Sequence, residues 1–174
     1  VKSIDKPEVK KPKRKRASID NLPDLTQPRA MPCTFDNGTN RKKLVALTFD
    51  GGSHYSAAGD ILDTLHSRHI RATMFVTGWF IRRNPDLIKR IVHEGHEVGN
   101  HTYSHPHLTS WAQDRTHTTL PIVSRSGLCE ELSKTNTIFK SLIGKDMVPL
   151  WRAPYGERNR QICRWAHTCG YLHV

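Results

Sequence analysis

Three short stretches hold the side chains best suited to hydrolysis. "LTFDGGSH" (47–54) ends an apolar run on Asp50, with Gly51 and Gly52 behind it. "NHTYSH" (100–105) sets His101 and His105 four residues apart. "RAPYG" (152–156) opens on Arg152 and continues through Pro154 and Tyr155. A carboxylate can take a proton from water. Two imidazoles at this spacing can reach one Zn²⁺-like ion if the backbone makes a helical turn between them. A guanidinium can keep a neighbouring carboxylate ionised. Each residue also has a plainer reading: Asp50 as a helix cap or turn residue, the histidines as a surface pair, Arg152 as a surface cation. Their shared position weighs against those readings, because each stretch lies at the carboxyl end of a predicted strand. That end is where α/β proteins gather ligands and catalysis.

The elements that must position these residues follow from hydrophobic period. "LVALTF" (44–49) reads as a buried strand, and Ile61, Leu62, Leu65 and His69 then recur at helical spacing. "ATMFVTG" (72–78) is a second strand, followed by a helix over about 80–93 with Pro85 in its opening turn. "HEVGN" (96–100) is a third strand. A connection over 106–126 shows no clear period. A long helix then carries Leu128, Leu132, Phe139, Leu142 and Ile143, and stops at Gly144. "MVPLWR" (147–152) is a fourth strand, Ile162, Trp165, Ala166 and Cys169 mark a fourth helix, and "YLHV" (171–174) opens a fifth strand. Alternation of strand and helix predicts a parallel sheet with helical crossovers.

From residue 44 onward the sequence resembles the polysaccharide deacetylase family, also called the NodB-homology domain or carbohydrate esterase family 4. "TFDGG" (48–52), "HTYSH" (101–105) and "RAPYG" (152–156) carry the resemblance, with "GHEVGNHTYSHPHLT" (95–109) around the second. The resemblance implies an α/β fold, a distorted (β/α) barrel of parallel strands. It implies removal of N-acetyl groups from an N-acetylglucosamine-containing polysaccharide, peptidoglycan or chitin-like, with a divalent metal, Zn²⁺ or a similar ion such as Co²⁺. By position, His101 and His105 resemble the metal ligands and Asp50 the catalytic base. Arg152 resembles the arginine holding that base. Tyr155 resembles the residue whose backbone N–H binds the oxyanion, with Arg152, Pro154 and Tyr155 at the substrate.

Two departures accompany the resemblance. Gly51 stands where the family pattern has a metal-binding Asp, so a substitute such as His54, or Asp50 itself, is needed for a third ligand. The family's later Asp/Trp segment and Leu-x-His motif do not occur, so the native protein is expected to be longer, with its last strands absent from this chain. A catalytically impaired carbohydrate-binding relative is the alternative reading.

Composition bounds the remainder. The 174 residues suffice for one domain, with no apolar run of membrane-spanning length. Of the formal charge of +11, residues 1–16 hold +6 through eight Lys/Arg against Asp5 and Glu8. Residues 1–40, with five prolines, read as a basic disordered arm and linker ahead of a domain at 41–174. Such an arm attracts anionic polymers loosely, and a specific nucleic-acid role is the weaker reading. The opening residues, from Val1, show no signal-sequence pattern, so the chain is expected to begin after a processing event or to be a fragment, and a polysaccharide substrate implies an exported protein. Cys33, Cys129, Cys163 and Cys169 are too scattered for a zinc ribbon; buried free thiols are the default and a disulfide stays open. Trp79, Trp151 and Trp165 fall in predicted elements and read as core, leaving Trp111 as the candidate for sugar stacking.

Overall fold

The computed structural model describes residues 33–36, 38, 44–52 and 57–174. Residues 1–32 of the expected basic arm, and His54, lie outside the described residues. Among the described residues, five strands, β1 (Thr48–Gly51), β2 (Thr73–Val76), β3 (Glu97–Asn100), β4 (Leu150–Trp151) and β5 (Leu172–His173), pair in parallel and in sequence order. Each crossover therefore lands on the next neighbour. That is the winding of a (β/α) barrel, and it differs from the reversing order of a doubly wound sheet.

Among the described residues, six helices make the crossovers: α1 (Ala58–Ser67), α2 (Gly78–Arg83), α3 (Pro85–His93), α4 (Trp111–Asp114), α5 (Arg125–Ile143) and α6 (Arg160–Thr168). The single helix expected at 80–93 is two. Pro85 has no N–H and restricts its predecessor, so the chain breaks at Asn84 and restarts with Pro85 at the first helical position. α2 begins earlier than expected because the Thr77 hydroxyl caps it, accepting the Phe80 N–H at 3.0 Å. α5 ends at Gly144, whose φ of 84° is the left-handed cap that stops a helix. The first strand starts at Thr48, later than its apolar run suggested. Leu44 and Val45 are 80% and 93% exposed, and the pairing with β2 begins only opposite Thr73. Apolar character does not make a strand where no neighbour offers a ladder.

Side-chain alternation along the strands separates two faces. Phe49, Met74, Val76 and Val98 turn to the helices and build a core with Leu62, Ile88, Ile91 and Phe139. A second cluster packs Trp151 against Leu128 and Leu132 of α5 and Ile162 and Ala166 of α6. The opposite face carries Thr48, Asp50, Phe75, Gly99 and Arg152. Phe75 is fully buried there, under the Arg152 guanidinium at 4.4 Å from its ring centroid. Gly99 must lack a side chain: a Cβ would come within 2.6 Å of the Phe75 ring and 3.3 Å of the Leu150 carbonyl.

The default of buried free thiols is corrected for one pair. Cys129 of α5 and Cys169 at the end of α6 form a disulfide across 40 residues, while Cys163 is a buried free thiol and Cys33 a partly buried one. Helices packed side by side brought together residues that sequence spacing could not relate. Among the described residues, no helix is long and apolar enough to cross a membrane.

Candidate active site

Asp50 lies within β1, and its side chain shares the inner face with Thr48, two residues earlier. Arg152, just past β4, donates through Nη1 to Asp50 Oδ1 at 2.9 Å and through Nη2 to Thr48 Oγ1 at 3.0 Å. The guanidinium thus bridges the first and fourth strands, with Phe75 of the second as its floor. A planar cation over an aromatic face keeps its N–H groups in plane and aimed sideways, at the carboxylate.

The loop after β3 carries the two histidines, and it is no helical turn. Thr102 and His105 take φ of 64° and 60°, the left-handed region that costs a residue with a Cβ roughly 1–2 kcal/mol. Two helices and one buried side chain hold it. The N–H groups of Gly78 and Trp79, opening α2, donate to the carbonyls of Thr102 and Tyr103 at 3.1 and 3.2 Å. Glu131 of α5 accepts the N–H groups of Tyr103 and Ser104 at 2.9 and 2.8 Å. Asn100, fully buried, accepts the Thr102 N–H and donates to the Leu132 carbonyl. In this shape Nε2 of His101 and Nε2 of His105 lie 3.2 Å apart.

Burial is the main influence on both imidazoles and pushes them below the ordinary histidine range. His101 Nδ1–H donates to the Arg152 carbonyl at 2.9 Å, which leaves the Nε2 lone pair free. Two neutral nitrogens therefore converge in the manner a divalent ion requires. Among the described residues no group of three or more His, Cys, Asp or Glu side chains converges as a metal site. Gly51 adds no side chain to the site. A Cβ there would face Val76 Cγ1 at 3.1 Å and the Phe80 ring at 3.5 Å, on the helix side of the strand.

Tyr155 sits in a 3-10 turn, Pro154–Gly156, with φ of 57°. Its ring stacks on His107 at 4.1 Å and 7°, and meets His105 edge-on at 4.5 Å. Beneath it, Glu157 is 1% exposed and binds the opposite loop: it accepts the Leu108 and Thr109 N–H groups at 2.7 and 2.9 Å and contacts His107 Nδ1 at 2.6 Å. Burial opposes that charge. The bonds from Thr109, His107 and Leu108 outweigh it and hold the carboxyl below the usual carboxylate range. Glu157 and His107 are the site residues that sequence reasoning missed. The available signal was an acid following the loop glycine, too general to single out.

Asp50, Gly52, Thr77, Trp79, His101, Ser104, His105, Tyr155 and Gly156 line one open cleft of about 610 Å³. The structure thus brings Asp50, both histidines and Tyr155 to one mouth, with Arg152 joined to it through Asp50. Pro154 is buried and does not line it. Trp79, expected in the core, is 43% exposed on this wall. Trp111 lies elsewhere, stacked on His117 at 4.7 Å.

Comparison with known proteins identifies the family. The polysaccharide deacetylase family model matches residues 37–174. A peptidoglycan-N-acetylglucosamine deacetylase of Bacillus cereus is 36% identical over 139 residues, which cover 79% of this chain and 46% of that protein. A family 4 carbohydrate esterase from Bacillus anthracis superposes with a TM-score of 0.70 at 33% identity, over 82% of this chain and 63% of that one. A mutant of a CE4 family pseudoenzyme, also from Bacillus anthracis, with restored enzymatic activity, superposes with a TM-score of 0.66 at 26% identity, over 79% and 46%. The chain spans about half the length of the curated relatives it matches. With a family match over most of its length, the chain belongs to the polysaccharide deacetylase family.

Proposed function

We propose that the protein removes N-acetyl groups from an N-acetylglucosamine-containing cell-wall polysaccharide, acting outside the cytoplasm. One observation carries the reading: two neutral imidazole nitrogens 3.2 Å apart share a cleft with a carboxylate fixed by a guanidinium. The two imidazoles fit a divalent ion such as Zn²⁺ or Co²⁺, with the Nε2 atoms turned toward each other and His101 oriented from behind by the Arg152 carbonyl. Such an ion, when bound, lowers the pKa of water and polarises an amide carbonyl.

The chain's own groups divide the remaining work. Asp50, held in place by the Arg152 guanidinium at 2.9 Å, takes the proton of the attacking water. The Tyr155 N–H, displayed by a left-handed turn residue, donates to the oxyanion that develops on the acetamide carbonyl. Among the described residues nothing lies within 4 Å of where a Cβ on Gly52 would be, so a bulky sugar can approach the backbone beside Asp50.

Acetate release from N-acetylglucosamine oligomers and from peptidoglycan tests this, with metal content measured in parallel. Release that stops on chelation and returns with Zn²⁺ or Co²⁺ supports the reading; a metal-loaded protein releasing no acetate overturns it. That second outcome favours the other reading, a carbohydrate-binding relative without turnover. Gly51 is the observation behind it, since the family's third ligand position carries no carboxylate.

A further inference from the structure

Among the described residues, Trp79 is the one large aromatic on the cleft wall to which the proposed chemistry gives no task. Three features make its ring a prepared surface. It is 43% exposed although it sits in the first turn of a helix whose neighbours Gly78, Phe80 and Ile81 are buried. Its backbone N–H is tied to the Tyr103 carbonyl at 3.2 Å, which fixes the helix start to the histidine loop. Tyr103 meets the ring edge-on at 6.5 Å and 71°, and the Arg83 guanidinium lies 5.8 Å from its centroid. A ring oriented by its neighbours yet open to the cleft loses little freedom on binding a flat apolar surface.

Position narrows what that surface is. Around the mouth, Asp50 comes from β1, Trp79 follows β2, the histidines follow β3 and Tyr155 follows β4. Trp79 thus flanks the reacting groups without being one of them, and the cleft of about 610 Å³ is within the size range that holds more than one small ring. Pyranose faces present C–H groups that stack on aromatic rings. We infer that Trp79 is a stacking platform for the sugar next to the one being deacetylated, so that the site selects N-acetylglucosamine oligomers over the single sugar. This rests on the substrate class proposed above.

The test compares the wild-type protein with Trp79→Ala, Trp79→Phe and Trp111→Ala. One measurement is acetate release from the N-acetylglucosamine tetramer and monomer; the other is tetramer affinity by calorimetry. The ratio of kcat/KM for tetramer over monomer is expected to fall about tenfold in Trp79→Ala, through KM more than kcat, and to be largely kept by Trp79→Phe. Trp111→Ala leaves the ratio unchanged. An unchanged ratio and affinity in a folded Trp79→Ala overturns the inference. If the wild type releases no acetate, only the deacetylase reading fails: tetramer binding weakened about tenfold in Trp79→Ala still supports the platform, and wild-type binding that is absent or equal to the variant's removes it.

Discussion

At the scale of single residues the site depends on Arg152 more than its partial exposure suggests. Its two Nη groups serve Asp50 and Thr48, its carbonyl orients His101, and its plane rests on Phe75. Lysine keeps the charge but cannot reach two acceptors with a planar fork. Arg152→Lys is expected to lower deacetylation about 10- to 100-fold, the worth of one charge-assisted hydrogen bond, with folding intact. Asp50→Asn removes the proton acceptor itself and is expected to cost about 10²- to 10⁴-fold in kcat. Steady-state rates on an N-acetylglucosamine oligomer, with melting curves to show folding, decide both. An Arg152→Lys variant as active as wild type would mean that Asp50 needs no such support.

At the scale of elements, two buried or half-buried carboxylates hold the loops that the strands present. Glu131 pins the histidine loop to α5, and Glu157 pins residues 107–109 to the turn bearing Tyr155. Glu157→Gln keeps the shape but weakens three bonds to a buried acceptor, an expected loss of about 1–3 kcal/mol in urea unfolding. Because the turn also displays the Tyr155 N–H, kcat is expected to fall while KM changes little; a stability loss with kcat unchanged would make Glu157 a purely structural clamp. These links mark where sequence reading stopped. The placing of Asp50, His101 and Arg152 at strand ends was legible, since strand ends are local properties of the chain. Glu157 contacts residues 48 to 50 positions away, and Cys129 meets Cys169 across 40, so no local pattern announces either. Trp79 was misplaced for a related reason. Periodicity assigns an apolar residue to a helix face, but the first turn of α2 projects over the mouth, where exposed and buried sides exchange roles.

At the scale of the whole molecule, acid acts on the fold through histidines that the interior keeps neutral. His173 on β5 is 4% exposed, edge-on to Trp151 at 5.1 Å, and its Nε2 accepts the Ala153 N–H at 3.3 Å. Burial first, then the charges of Arg158 and Arg152, push it down to about 3 from the ordinary 6.5. Between those two values the unfolded chain binds the proton and the folded one does not. Stability is therefore fully present above about 6.5 and falls as pH drops toward 3, by about 1.4 kcal/mol per unit for such a group. His96, His101 and His105, also held low chiefly by burial, add in the same direction. Urea unfolding of the wild type is expected to show roughly 2 kcal/mol less stability at pH 5 than at pH 7.5 from His173 alone. His173→Gln can still accept the Ala153 N–H through its amide oxygen but takes up no proton, so its loss over the same interval is expected to be smaller by about that amount. Equal slopes in both proteins would show that another group carries the acid sensitivity. Ala153 leads directly into the turn that carries Tyr155, so protonation of His173 removes an acceptor from the backbone that shapes the cleft. Acid is therefore expected to loosen the β4–β5 side of the mouth before the β1–β3 side, as faster amide exchange at Ala153 than at Phe75.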